Sequence, residues 1–221
     1  MTPIRLPLLA THRTKYIWGV FISIFCYGAY TITNHLTLFT PTVLPFTAFE
    51  KALPILPWTM WPYLTSFFFM VIVFFDVRNL ENLSRLAYAF LTLQVVANLI
   101  FIFFPVSIPR DLYPLPADIG PVEKWMFNYI RTVDSTINCL PSLHVADCCL
   151  IGLVYLKENR GKFVFAMLWV ALVSFSTLGT KQHYLWDVIG GIVIAIVIFA
   201  LAFSRYLVIV PSKKMALAAQ K

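Results

Sequence analysis

Long apolar stretches separated by short polar segments dominate the pattern of this chain. Several of them approach or exceed the roughly 18 apolar residues that a helix needs to cross the ~30 Å hydrocarbon core of a bilayer. The pattern predicts an all-α, polytopic membrane protein with about six transmembrane helices in a single domain, residues 1–221. The predicted helices cover residues 16–33, 60–75, 86–104, 142–156, 163–178 and 184–203.

Two segments interrupt this pattern. Prolines divide residues 37–62 into pieces too short to span a membrane, and residues 46–56 are predicted to form an amphipathic helix at its surface. Trp58 and Trp61 suit the headgroup level nearby. Residues 106–140 form the longest polar stretch, without clear periodicity, and a loop of that length is usually functional or disordered.

Composition supports the membrane interpretation. Hydrophobic residues make up 60% of the chain and charged residues 12%, whereas soluble domains usually carry about 25% charged residues. The net charge of +7 does not indicate nucleic-acid binding, because the 17 Lys and Arg are dispersed between the apolar runs. Of the four cysteines, Cys139 is expected in a watery segment. We predict no disulfide, no metal site and no cofactor.

The basic residues predict the orientation in the membrane, because positively charged loops face the cytoplasm. With six helices, 12 of the Lys and Arg fall on the side of the two termini, and 5 fall on the other side. Those five are Lys51, Arg110, Lys124, Arg131 and Lys181. We expect both termini in the cytoplasm, residues 106–140 outside, and the protein in a cell inner membrane or plasma membrane.

Two polar segments open helices on the predicted outer face. Residues 138–144 read Asn-Cys-Leu-Pro-Ser-Leu-His, and residues 180–187 read Thr-Lys-Gln-His-Tyr-Leu-Trp-Asp. His183 and Asp187 are four residues apart and share one face of a helix. A carboxylate that accepts a hydrogen bond from one imidazole nitrogen leaves the other nitrogen free to attack an electrophile. His183 is therefore the predicted nucleophile, with Asp187 as its orienting group.

The first segment supplies complementary groups. Ser142 and the free N–H groups at the start of a helix suit a phosphate, and His144 could protonate a leaving oxygen. Lys181 and Arg110 are the candidate cations for the remaining phosphate charge. Asp147, one turn below His144, is either a partner of that histidine or a packing contact within the bilayer.

Together these residues resemble the type 2 phosphatidic-acid phosphatase superfamily of membrane phosphatases and lipid phosphotransferases. The second motif of that family, Pro-Ser-Gly-His, corresponds to residues 141–144, and the third, which contains His-x3-Asp, corresponds to residues 176–187. The resemblance makes residues 86–204 the catalytic half. It implies that His183 forms a phosphohistidine, that Asp187 orients it and that His144 is the general acid.

Departures from the motifs resemble one branch of the family. Leu143 replaces a glycine, Thr177 replaces an arginine, and Phe103 stands where a lysine would precede Arg110. Such losses are similar to those of inositol-phosphorylceramide and sphingomyelin synthases, so the acceptor stays open between water and a lipid or sugar hydroxyl. The implied substrate is a phospholipid or a polyprenyl (di)phosphate, and Lys181 is the candidate for the missing cationic role.

Two other classes fit parts of the sequence. An intramembrane metal hydrolase could use His144, Asp147, His183 and Asp187 as zinc ligands, although the adjacent Pro-Ser and the basic residues favour phosphate. A lipid carrier without enzymatic activity is the other class, although the sequence shows no repeat of the kind found in many transporters. We prefer the phosphatase or phosphotransferase, with hydrolysis slightly favoured over transfer.

Cysteine labelling tests the predicted orientation. A cysteine placed in residues 114–121 should react with a membrane-impermeant maleimide in intact cells, because that loop is expected outside. A cysteine in place of Asn159 should stay protected until the cells are permeabilised. The reverse labelling pattern would invert the topology and move the site to the cytoplasmic face.

Overall fold

The computed structural model describes residues 3–211, which form eight α-helices and two pairs of short strands. The helices are α1 (Lys15–Asn34), α2 (Ala48–Ala52), α3 (Met60–Asp76), α4 (Leu80–Phe103), α5 (Pro121–Val133), α6 (Leu143–Glu158), α7 (Arg160–Gly179) and α8 (Leu185–Ala202). The strands are β1 (Ile4–Pro7), β2 (Thr42–Val43), β3 (Val106–Ser107) and β4 (Leu207–Val210).

Five helical segments of the described chain are long and apolar enough to cross a membrane, namely α1, α4, α7, α8 and the segment Pro57–Asp76, which consists of α3 and the helical turn before it. The remaining predicted span is helical as α6, but it has 16 residues. It occupies the centre of the bundle, against α3, α4, α7 and α8. Most of α6 is buried, whereas the outer helices expose large apolar side chains such as Phe68 and Ile72. Such exposed apolar surface is what a spanning helix presents to lipid.

Two of the predicted polar turns are shorter than expected, because asparagine caps start helices within them. The Asn79 side chain accepts hydrogen bonds from the backbone N–H groups of Glu81 and Asn82, at 2.9 and 3.2 Å. Asn159 accepts one from the N–H of Lys162 at 3.0 Å. Each cap satisfies N–H groups that a helix start leaves unpaired. As a result, α4 begins six residues before the predicted position, and α7 begins three residues before it.

The long polar stretch is not simply a loop. It contains α5, whose Met126, Phe127 and Ile130 are buried against the bundle, while Trp125 and Tyr129 are exposed. These buried residues recur at the spacing of one helix face, so the segment has the pattern of an amphipathic helix, and the expectation of no clear periodicity there was wrong. The predicted surface helix at residues 46–56 is likewise reduced to the five residues of α2.

The two terminal segments meet at one end of the bundle, where β1 and β4 pair in parallel. At the same end, Lys15 Nζ donates to the carbonyl oxygens of Phe75 and Val77, at 3.1 and 3.3 Å. Cations commonly satisfy the carbonyls at helix C-termini in this way. Residues 213, 214 and 221, three of the lysines in the charge argument, lie outside the described residues.

Helices α6 and α8 approach closely at Gly191. A Cβ atom at this position would lie 2.6 Å from the carbonyl oxygen of Ser142 and 3.3 Å from the nitrogen of Ala146. Nearby, the N–H of Ser142 donates to the carbonyl oxygen of Asp187 at 3.0 Å. Small residues allow helix backbones to approach in this way within membranes. Gly191 therefore permits the contact that joins the starts of α6 and α8.

Gly191→Ala should destabilise the protein, because the added methyl group would push α8 away from the start of α6. Overpacking of this kind typically costs about 1–3 kcal/mol, which should appear as a lower Tm in detergent together with lost activity. Gly28→Ala in α1 is the control, since a Cβ there meets nothing within 4 Å. Equal Tm values for the two variants would show that the α6–α8 contact does not need a glycine.

Candidate active site

The turn between α7 and α8 carries His183. After α7 ends, the N–H groups of Gln182 and His183 both donate to the carbonyl oxygen of Thr177, at 3.1 and 3.3 Å. Lys181 has a φ of 56°, in the left-handed region that glycine usually occupies after a helix. This conformation costs other residues about 1–2 kcal/mol. The backbone is therefore strained two residues before His183, as is common at functional sites.

His183 is held in one orientation by two oxygen acceptors. Its Nδ1 lies 3.0 Å from the carbonyl oxygen of Cys139 and 3.2 Å from Oδ2 of Asp187. Because both neighbours accept, Nδ1 must carry the proton, and the unprotonated Nε2 is then available for attack. The same Oδ2 accepts a hydrogen bond from the N–H of Tyr184 at 2.8 Å, which fixes the carboxylate. The predicted pairing of His183 with Asp187 is therefore present.

The second histidine lies across from the first. The ring centroids of His144 and His183 are 5.7 Å apart, close enough for one phosphoryl group to contact both rings. Within residues 3–211, neither ring nitrogen of His144, nor Oγ of Ser142, nor Oδ1 of Asp187 has a hydrogen-bond partner. Buried polar atoms without partners are unusual in folded proteins. Their convergence at two helix starts marks this location as the place for a polar ligand.

The turn that carries His183 is held by contacts from the N-terminal half of the chain. The carboxylate of Glu50, which is 3% exposed, accepts a hydrogen bond from the N–H of Leu185 at 2.8 Å. The hydroxyl of Tyr184 donates to the carbonyl oxygen of Ser107 at 2.9 Å, and burial raises the pKa of this phenol. The segment predicted to lie at the membrane surface therefore also packs on the turn that carries His183.

The two predicted cations are bound to backbone carbonyls. Lys181 Nζ donates to the carbonyl oxygen of Glu50 at 2.6 Å, and burial lowers the pKa of its ammonium while the charge of Glu50 opposes this. Arg110 donates to the carbonyl oxygens of Asp134 and Ser135, at 2.5 and 3.2 Å, and pairs with the Asp134 carboxylate at 3.3 Å. In the described part of the chain, neither cation hydrogen-bonds His144 or His183.

Asp147 is bonded away from the histidines. Its two carboxylate oxygens accept hydrogen bonds from Nε2 of Gln94 in α4, at 3.4 and 3.3 Å.

Residues 3–211 hold no group of three or more His, Cys, Asp and Glu side chains placed to share a metal ion. The zinc-hydrolase alternative therefore gains no support from the geometry. Cys139, expected in a watery segment, is 3% exposed.

Sequence reasoning missed three contributors to the site. The carbonyl of Cys139 contacts His183, Glu50 braces the turn, and Tyr63 of α3 stacks on His144 with ring centroids 4.3 Å apart. A carbonyl has no signature in the sequence, and neither does an aromatic residue in an apolar run. Glu50 offered one signal, since an acidic residue within a largely apolar segment often has a functional partner.

Comparison with protein families agrees with this geometry. The family model described as the PAP2 superfamily matches residues 58–201, which include both histidine segments, α3 and α4. The chain belongs to the PAP2 superfamily. This membership confirms the resemblance that the two motifs indicated.

One curated relative is the inositol phosphorylceramide synthase of Candida albicans, 27% identical over 145 residues. The match covers 57% of this chain and 30% of that protein. This agrees with the predicted branch of the family. The two comparisons support a lipid phosphatase or phosphotransferase enzyme.

Asp187→Asn should reduce turnover strongly, because the amide can offer an N–H toward Nδ1 and favour the wrong tautomer of His183. Disrupting an orienting group of this kind costs up to about 10⁴-fold in rate. The readout is initial rate on a lipid phosphate, with Tm measured in parallel. Gln94→Leu, which removes the partner of Asp147, is the control and should lower stability more than rate. Full turnover by Asp187→Asn would contradict the orienting role.

Proposed function

We propose that this protein cleaves or transfers the phosphoryl group of a phospholipid or polyprenyl (di)phosphate through a phosphohistidine at His183. One observation carries this proposal. Nδ1 of His183 is held by two acceptors, and the ring lies 5.7 Å from that of His144. A fixed nucleophile and a second imidazole at that distance suit in-line displacement at phosphorus, in which the attacking and leaving groups lie on opposite sides.

In the first step, Nε2 of His183 attacks the phosphorus, and the bond from phosphorus to the lipid oxygen breaks. His144 gives its proton to the leaving lipid oxygen, because an alkoxide leaves poorly without one. Ser142 and the free N–H groups at the start of α6 bind the non-bridging oxygens. In the second step, an incoming hydroxyl gives its proton to His144 and attacks the phosphohistidine, which restores His183.

The acceptor defines two candidate activities. Water would make the protein a phosphatase, the activity that needs no second binding site. A lipid or sugar hydroxyl would make it a phosphotransferase, and the similarity to an inositol phosphorylceramide synthase favours this candidate. The replacement of a motif arginine by Thr177 agrees with that branch.

For the orientation, we propose that α1, α3, α4, α6, α7 and α8 all cross the membrane. The pairing of β1 with β4 supports an even number of crossings, because it joins the terminal segments at one end of the bundle. The excess of Lys and Arg supports a cytoplasmic position for that end. The active site then faces away from the cytoplasm, in a cell inner membrane or plasma membrane.

His183→Ala should abolish turnover and leave the Tm in detergent nearly unchanged, because the imidazole is needed as nucleophile. Rapid quenching with a lipid substrate labelled in its phosphate should give wild-type protein an acid-labile, base-stable label. His12→Ala is the matched control, because His12 lies near Arg78 and Ile209, at the end of the helix bundle away from His183. Wild-type labelling of His183→Ala would contradict the assignment.

The same preparation distinguishes the two activities. A phosphatase should release inorganic phosphate in detergent without an added acceptor, at the rate at which the label decays. A phosphotransferase should hold the label until a hydroxyl acceptor, such as a ceramide or a sugar, is added. Release without acceptor at the full decay rate would exclude obligatory transfer.

A further inference from the structure

The His144 ring is held in a different way from that of His183. Within residues 3–211, no hydrogen-bond partner contacts either of its nitrogens. Its neighbours in α3 are aromatic instead. The Tyr63 ring lies 4.3 Å away at an interplanar angle of 32°, and the Phe67 ring lies 5.2 Å away at 80°. These two aromatic residues are one helical turn apart, so they present adjacent rings to one imidazole.

Tyr63 is itself fixed by its surroundings. Its side chain is 1% exposed, and it belongs to a cluster that includes Met126, Phe127 and Ile130 of α5. The buried face of α5 therefore lies in the same apolar cluster as the residue whose ring faces His144. Phe67, by contrast, is 52% exposed. Tyr63 is thus the more rigid of the two contacts.

This arrangement suits a general acid. An imidazole that donates a proton is a cation beforehand, and the face of an aromatic ring attracts a cation by about 0.5–2 kcal/mol. Stacking also fixes the ring plane while it leaves both nitrogens free for the substrate. Only one ring nitrogen has to reach the leaving oxygen, and a contact through the ring face leaves either nitrogen available for it.

We propose that Tyr63 is a positioning residue that sets the orientation of the His144 ring for proton transfer to the leaving oxygen. The proposal rests on the proposed function, in which His144 is the acid. It assigns the task to the ring of Tyr63 and not to its hydroxyl. It also gives α5 a role, since α5 holds Tyr63 against the histidine.

The test compares three substitutions on two substrates. Tyr63→Leu should lose about 10- to 100-fold in kcat on a lipid phosphate, because a displaced acid transfers its proton poorly. Its loss should be several-fold smaller on nitrophenyl phosphate, whose leaving group needs no proton. Tyr63→Phe keeps the ring and should stay within about 3-fold of wild type on both substrates. Phe74→Leu is the control, a buried α3 aromatic that stacks on Phe90 instead, and should show no substrate-dependent loss.

Two outcomes would overturn the proposal. Equal losses of Tyr63→Leu on the two substrates would indicate ordinary packing, and a loss of Tyr63→Phe as large as that of Tyr63→Leu would assign the effect to the hydroxyl. His144→Ala, measured in parallel, separates the acid role of His144 from the positioning role of Tyr63. If His144→Ala loses more activity on the lipid phosphate than on nitrophenyl phosphate, and Tyr63→Leu loses equally on both, only the positioning role fails. If His144→Ala loses equally on both substrates, the acid role fails and the positioning role fails with it.

A second readout does not depend on catalysis. In protein labelled with ¹³C-histidine, the ring protons of His144 should be shifted upfield by the nearby Tyr63 face. Tyr63→Phe should keep this shift, Tyr63→Leu should remove it, and Phe74→Leu should leave it unchanged. A His144 shift that is the same in Tyr63→Leu as in wild type would contradict the stacking itself.

Discussion

The close approach of α6 and α8 is the constraint on which the site depends. One histidine begins α6 and the other immediately precedes α8, so the distance between their rings is set by how near those helix starts lie. Gly191 permits the approach, and the hydrogen bond from the N–H of Ser142 to the carbonyl oxygen of Asp187 joins the two helix starts. Backbone groups in a bilayer must find partners within the protein. The contact therefore gives the N–H of Ser142 a partner and aligns the two halves of the candidate site.

A chain of buried polar side chains extends this alignment through the bundle. Asn138, in the segment before the first histidine motif, donates to Thr33 of α1 at 3.1 Å, and Thr33 donates to Asn98 of α4 at 2.6 Å. One turn earlier in α4, Gln94 reaches Asp147 of α6. Unpaired polar groups are costly in apolar surroundings, so this chain fixes the positions of α1 and α4 relative to α6. Asp147 belongs to this network, which fits the packing alternative of the sequence analysis.

The sequence was most informative where the chemistry requires particular residue types at short spacing. His183 and Asp187 are only four residues apart at a helix start, so their side chains can meet at 3.2 Å even though α8 begins after His183. Apolar runs of about 18 residues likewise predict spanning helices without tertiary information. The rest depended on long-range contacts. Glu50 reaches Leu185 across 135 residues, and Tyr63 reaches His144 from another helix. The α5 helix differs from these cases, because its buried residues recur at helical spacing and the sequence itself carries that signal.

The positions of the two cations bear on how the site tolerates a phosphate. Arg110 cannot turn toward the histidines without leaving the carbonyls of Asp134 and Ser135, and Lys181 cannot do so without leaving Glu50. Each therefore acts first as a brace for a loop that builds the site. In the proposed mechanism, direct contacts to phosphate oxygens would then fall to Ser142 and the N–H groups at the start of α6, with partial positive charge from the helix end. Such a site would differ from one lined by arginines, and it would not need an arginine at position 177. A cradle built from backbone groups depends on helix geometry more than on the identity of individual side chains.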